Sequence, residues 1–245
     1  MTDLSAVAWV AVIAGALGGS IVGGVAGFGA GLTLLPILIL VIGARAAIPV
    51  LTVTMLVGNL SRVWWSRHDV NRRVVLSFLV GAVPATALGA MLYAGVAGDW
   101  VGRLVGIFLL AALPLRRILN SSGLVVRLRH FPFVGALIGA LSSVVVTTGP
   151  VATPFFLAHG LRKAAYIGTE SVCGMAMHFT RGAVFTRYSV LSWDAFVLGC
   201  VLGATMFVGS WVARRLMDSM SERVFLWIVE GMLVVSGLQS LFFPR

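Results

Sequence analysis

Residues 23–31 read Gly23-Gly24-Val25-Ala26-Gly27-Phe28-Gly29-Ala30-Gly31, with Pro36 five residues on, and they interrupt an apolar run that otherwise extends from residue 6 to residue 42. As one straight helix that run would be about 55 Å long, whereas the hydrocarbon core of a bilayer is only about 30 Å thick. Glycine inside a helix costs about 1 kcal/mol relative to alanine, so five glycines in nine residues mark where the helix must break. The stretch is expected to fold back on itself as a broken or re-entrant hairpin.

Downstream of the hairpin come apolar runs at 46–65, 74–94 and 101–115, then an arginine-rich connector at 116–130. After the connector the plan recurs. A stretch at 131–158, interrupted by Thr147-Thr148-Gly149-Pro150 and Pro154, precedes runs at 164–185, 193–212 and 224–243. If helical, the 131–158 stretch would be about 42 Å long, too long for one crossing and short for two, so a second broken hairpin fits it. The expected organisation is a first membrane repeat at 1–119, a cytoplasmic connector at 120–130 and a second repeat at 131–245.

Composition agrees with a bilayer. Fifty-nine per cent of the residues are hydrophobic, 11 % are charged and the mean hydropathy is +1.03, against about 25 % charged residues in soluble domains. The net charge of +10 comes from arginine, with Lys163 the only lysine, and the arginines sit between apolar runs. Short cytoplasmic loops produce that pattern; a nucleic-acid-binding surface would cluster its charge, so no nucleic-acid partner is expected. Cys173 and Cys200 lie inside apolar runs, without metal-ligand or disulfide spacing, and read as packing residues. The N-terminus carries only Asp3 ahead of the first run, which argues against a basic-led signal peptide and for mature sequence.

Orientation follows from the basic residues. A hairpin and three crossings per half put thirteen of the eighteen on the cytoplasmic side, Arg62 among them, and leave Arg45, Arg103, Arg181, Arg187 and Arg245 outside. If 131–158 crossed only once, Arg162, Lys163, Arg214, Arg215 and Arg223 would move outside and the positive-inside bias would weaken. Three crossings per half make the second half enter from the opposite side. The expected fold is therefore an all-α integral membrane protein of two inverted-topology repeats, each a broken hairpin followed by three transmembrane helices, with both termini outside the cytoplasm.

Local features match across the halves. Pro36, Gly43 and Arg45 answer to Pro154, Gly160 and Arg162 with one residue of slippage, and Asn59 and Arg62 answer to His178 and Arg181 at a constant offset of 119. Inverted repeats whose matching segments are broken by glycine and proline point to a midplane binding site of a secondary transporter.

Gly24-Val25-Ala26-Gly27-Phe28-Gly29-Ala30-Gly31 with Pro36 resembles the glycine-rich signature of the sulfite exporter TauE/SafE family, also called toluenesulfonate uptake permeases. Ala47 with Thr52-Val53-Thr54 resembles the family's alanine-then-threonine/serine element, and Ala165 with Thr169-Glu170-Ser171 its second copy. The second half departs from the pattern, because Ser143-Val144-Val145-Val146-Thr147-Thr148-Gly149-Pro150 lacks most of the signature's glycines. The resemblance implies a permease of the bacterial inner membrane that moves a small oxyanion, such as sulfite, an organosulfonate or a small organic acid, coupled to protons. Membrane lipid is the other partner it implies; a homodimer is compatible with it, and no cofactor is called for.

A small anion taken out of water needs its hydration replaced. The N–H groups at the start of a half-helix can do this without placing a cation in hydrocarbon. On that reasoning the substrate candidates are Gly27, Phe28, Gly29, Gly31 and Thr33 in the first half, with Thr147, Thr148, Gly149 and Thr153 in the second. Glycines three or four residues apart also serve helix packing, the reading that suits Gly199 and Gly203. Asn59 with Arg62 and His178 with Arg181 form two polar pairs one helical turn apart. They either face opposite mouths of a pathway and hold an oxyanion, or the arginines snorkel to lipid phosphate. Glu170, two turns inside its run, is a proton-coupling candidate with His178, or else a structural partner of Arg162; Glu230 is mid-span as well. Met175 and Met177 read as core filler, and Trp64, Trp65, Trp100 and Trp193 as interface anchors.

An intramembrane enzyme would need a metal or nucleophile–base constellation. His68, His130, His159 and His178 are scattered, without an H-E-x-x-H motif, so neither an enzyme nor a metal site is expected. The remaining alternative is an anion channel or a non-transporting membrane scaffold.

Overall fold

A computed structural model describes residues 5–95, 126–144, 148–229 and 231, and these contain helices and no strand. The run at 101–115, Thr147, Glu230 and most of the connector and of 224–243 lie outside the described residues. In chain order the helices are α1 (Ala6–Ala26), α2 (Ala30–Ile42), α3 (Ala44–Ser66), α4 (Arg72–Gly95), a 3-10 turn at Leu128–His130, α5 (Phe131–Val144), α6 (Gly149–Ala158), α7 (Lys163–Arg187) and α8 (Trp193–Ser219). Residues 222–229 are helical too.

The first long run breaks where its glycines fall. Gly27 closes α1 at φ +84° and Gly29 opens α2 at φ +112°, in the left-handed region that costs an L side chain about 1–2 kcal/mol. The chain reverses there, setting Gly15 of α1 against Ile37 of α2 and Gly19 against Ala30 and Thr33. At 1.5 Å per residue α1 is about 31 Å long and α2 about 20 Å, a full-length helix with a shorter returning one. The second long run also folds back. Its two ends meet where His159 Nδ1 lies 2.7 Å from the carbonyl oxygen of Val126 and its ring stands edge-on to Phe131 at 5.2 Å. Gly43 and Gly160, matched in the sequence, end α2 and α6 at φ +80° and +94°.

Among the described residues, four stretches are long and apolar enough to cross a membrane: Ala6–Ala26, Ala46–Ser66, Arg72–Ala94 and Trp193–Ser219. Helix α7 has 25 residues and the length for a crossing, but its composition is diluted by Glu170, His178 and Arg181. Those groups are tolerated because α7 is wrapped by α3 and α4, not bathed in lipid.

Among the described residues the helices form a small apolar core of Ala90, Val184 and Phe185 and two large ones. One gathers Leu34, Leu38, Leu51, Leu198 and Leu202 from α2, α3 and α8; the other gathers Phe78, Phe131, Phe156, Tyr166 and Phe225 around α4, α5, α6 and α7. Helix α1 packs on α2 and α8, and α3 on α2, α7 and α8; correspondingly α5 packs on α6 and α4, and α7 on α6, α3 and α4. Exchanging α1, α2, α3 and α8 for α5, α6, α7 and α4 leaves this set of contacts unchanged. Gly199 and Gly203 are packing residues: a Cβ on Gly199 would come within 2.5 Å of Val53, and one on Gly203 would overlap Val57.

Several basic loops meet at one end of the bundle. Arg214 at the end of α8 pairs with Asp69 of the α3–α4 turn at 3.1 Å, and Arg162 of the α6–α7 turn pairs with Glu222 at 3.3 Å. Arg67 and Arg215 stack on Trp64 and Trp211, at 4.9 and 5.1 Å from the ring centres. Exposed Trp64, Trp65 and Trp193 fit interface anchors.

Candidate functional site

One cavity, about 470 Å³ of atom-free space partly open to the outside, lies where both chain breaks meet the middle of α3 and α7. From the first break it is lined by Gly27, Phe28, Gly29 and Gly31, and from the second by Thr148 and Gly149. Gly29 caps α2 without a side-chain hydrogen bond, so the N–H groups of Ala30, Gly31 and Leu32 have no acceptor inside the helix. The partial positive end of α2 therefore points at the cavity.

Helix α3 contributes Asn59 and Arg62 to the lining, and α7 contributes Glu170 and His178. Arg62 is 7 % exposed and Arg181 1 % exposed, so neither snorkels to lipid phosphate; that alternative is overturned by burial. Each arginine is held by the polar residue one turn before it: Arg62 donates from Nη2 to Asn59 Oδ1, and Arg181 Nη2 lies 2.7 Å from His178 Nδ1. Arg62 Nε also donates to Ser171 Oγ at 3.0 Å, and Arg181 Nη1 to the carbonyl of Ser142. The small residues opposite them give room. A Cβ at Gly23 would come within 2.8 Å of Arg62 Nη1, and one at Gly174 within 2.9 Å of Asn59 Nδ2.

Glu170 Oε2 is buried and has no hydrogen-bond partner, as is Arg181 Nε. The structural pairing of Glu170 with Arg162 does not occur, because Arg162 sits in the α6–α7 turn and takes Glu222 instead. An unpartnered carboxylate oxygen beside a buried guanidinium is costly unless a ligand, water or proton completes it.

Three predicted residues fall elsewhere. Thr33 is exposed, and its hydroxyl returns to the carbonyls of Gly29 and Ala30 at 3.1 and 3.0 Å. Thr153 is fully buried behind the cavity wall, bonded to the Gly149 carbonyl at 2.7 Å. Arg181 stands one turn beyond His178 and is not part of the lining. Thr147 lies outside the described residues.

Sequence reasoning missed Tyr166. Its hydroxyl donates to the carbonyl of Ala26, the last residue of α1, at 3.0 Å and meets Thr153 Oγ1 of α6 at 2.7 Å. A Cβ at Gly27 would overlap its ring. One fully buried side chain thus ties the first break to the second. Ser171, Met55 and Gly174 were missed as well; small or apolar residues inside a span give no signal of which face they occupy.

The family model of the sulfite exporter TauE/SafE proteins matches residues 11–240, nearly the whole chain. The chain belongs to the sulfite exporter TauE/SafE family. No curated protein and no solved structure matches it. As a TauE/SafE protein with several apolar spans it is a multi-pass membrane transporter of a family that moves sulfite-type anions. The signature of the first half lines the cavity.

Proposed function

We propose that this TauE/SafE protein is a proton-coupled permease of the bacterial inner membrane for a small oxyanion, sulfite or an organosulfonate or a small organic acid. The observation that carries the reading is the convergence of both chain breaks, Asn59, Arg62, His178 and the unpartnered carboxylate of Glu170 on one cavity. Free N–H groups of α2 and the guanidinium of Arg62 replace the hydration of the anion. Of the two proton-coupling candidates the geometry favours Glu170. A second proton on His178 would have to displace the Arg181 N–H from Nδ1, whereas Glu170 Oε2 is open.

The two membrane repeats, 1–119 and 131–245 joined by 120–130, are inverted in this reading, with both termini periplasmic. Support comes from the helix contacts that are unchanged when the halves are exchanged. It comes also from the matched left-handed glycines, Gly43 and Gly160, and from the basic loops joined at one end of the bundle, which would face the cytoplasm.

Counterflow in proteoliposomes tests the function. Sulfite or methanesulfonate inside should drive saturable uptake of labelled substrate, and Glu170→Gln should keep this exchange while losing accumulation driven by a proton gradient. Flux that does not saturate and shows no counterflow would make the protein a channel. Absence of any flux would support the scaffold reading.

A further inference from the structure

Arginine has five N–H donors and no acceptor, so any atom it bonds must be accepting. At His178 the atom facing Arg181 is Nδ1, at 2.7 Å. A neutral imidazole that accepts at Nδ1 carries its proton on Nε2, so Arg181 fixes the tautomer. At Asn59 the atom facing Arg62 is Oδ1. The amide is thereby oriented, and its NH2 is turned away from Arg62, towards Gly174. Both residues line the cavity. In each case an arginine of the same helix, one turn on, donates to the acceptor atom of the side chain and so turns its N–H elsewhere.

Resting on the oxyanion reading above, we propose that Arg62 and Arg181 are positioning residues that hold Asn59 and His178 with their N–H groups free for the ligand, and that the site thereby favours fully deprotonated oxyanions over protonated ones of equal charge. With the N–H groups at the start of α2 and the remaining N–H groups of Arg62, these two side chains form a wall of hydrogen-bond donors. A ligand O–H turned to that wall meets donors, and the side-chain acceptors left to it in the lining are Glu170 and the hydroxyls of Thr148 and Ser142, so an oxygen without hydrogen makes more bonds there. Glu170 is the one carboxylate of the lining; carrying a proton, it donates through its O–H and keeps one oxygen that accepts. Arg181 does not line the cavity and acts on the ligand through His178.

Methanesulfonate and singly protonated methylphosphonate make the test, since they have the same charge and similar size and differ by one O–H. Titration calorimetry on the purified full-length protein should find methanesulfonate bound at least about tenfold tighter, the equivalent of one unmade hydrogen bond to a charged group. Asn59→Asp keeps the acceptor for Arg62 and the shape of the side chain but replaces the cavity-facing N–H by oxygen. It should melt near the wild-type temperature and lose about tenfold or more in methanesulfonate affinity. Arg181→Met frees Nδ1 and should shrink the preference between the two probes, and Arg181→Lys, which still donates, should restore part of it. Equal binding of the two probes by the wild type, or full methanesulfonate affinity in Asn59→Asp, would overturn the proposal while leaving the oxyanion reading in place. A wild type that binds neither probe nor sulfite would overturn both. The wild-type comparison needs no variant to fold.

Discussion

The break between α1 and α2 and the break ahead of α6 hold matching places in the chain, yet they offer a ligand different things. At the first, Gly27 and Gly29 take left-handed backbone angles, and α2 begins with Ala30, Gly31 and Leu32, each bearing an N–H without a partner inside the helix. At the second, Pro150 has no N–H, and the N–H groups of Val151 and Ala152 both return to the Thr148 carbonyl at 3.0 Å, so Gly149 is the only residue of that helix turn with an amide to spare. The first break carries the spare amide donors; the second is braced, through Thr153, against Tyr166. Two segments of similar placement can thus divide the work, one carrying donors and the other holding the first in position.

The largest effect should come from filling the first break. Gly29→Leu forces a side chain into φ +112°, at about 1–2 kcal/mol of strain, and places bulk at the proposed anion site; counterflow should fall below detection. Gly149→Leu should also abolish transport, because its Cβ would overlap Phe28. The alanine variants separate the breaks. Gly149→Ala already brings the Cβ that overlaps Phe28 and should lose nearly as much counterflow as Gly149→Leu, whereas Gly29→Ala adds strain at φ +112° with little bulk and should keep part of it; equal loss in the two alanine variants would break the comparison.

Next in size is the tie between them. Tyr166→Phe leaves the Ala26 carbonyl and Thr153 without their common partner, and a buried polar group left unpaired costs about 1–3 kcal/mol. The melting temperature should drop accordingly. If the tie sets the geometry of the donors, KM for the anion should rise too. An unchanged melting temperature would mean that the two breaks stand independently.

How much of this was legible in the sequence follows from what each residue depends on. The first break was readable because glycine and proline act locally, through their own backbone preferences, and it falls where they cluster. The pairs Asn59–Arg62 and His178–Arg181 were readable because three residues make roughly one helical turn. Their burial was not, since a guanidinium near a span end serves lipid or cavity equally well until the neighbouring helices are placed. Tyr166 and the pairing of Arg162 with Glu222 depend on contacts across 140 and 60 positions, which no local pattern encodes. Thr33 was misplaced for a reason the sequence did contain: at about 100° per residue it lies about 200° from Gly31, on the other face of α2.

A smaller effect would sharpen the contrast from the side of the second break. Pro150→Ala gives α6 the N–H it lacks without removing any bond. Anion affinity should tighten by about threefold, a few tenths of what a charged hydrogen bond supplies in full, while stability falls by about 0.4–1 kcal/mol because the unfolded chain gains freedom. Calorimetry and thermal melting read the two changes separately. Weaker binding with unchanged stability would mean that the proline ring itself shapes the site.

The smallest effect tests whether α2 presents one face or two to the ligand. Thr33 is exposed and its hydroxyl is returned to its own helix turn, so Thr33→Val should alter stability by no more than about 0.5 kcal/mol and leave counterflow and KM where they were. Thr153→Val removes the hydroxyl that meets Tyr166 and should resemble Tyr166→Phe instead. If Thr33→Val raised KM as Thr153→Val does, the anion would have to reach the far face of α2. The N–H groups of its first turn, pointing along the axis into the cavity, would then no longer suffice as the cradle.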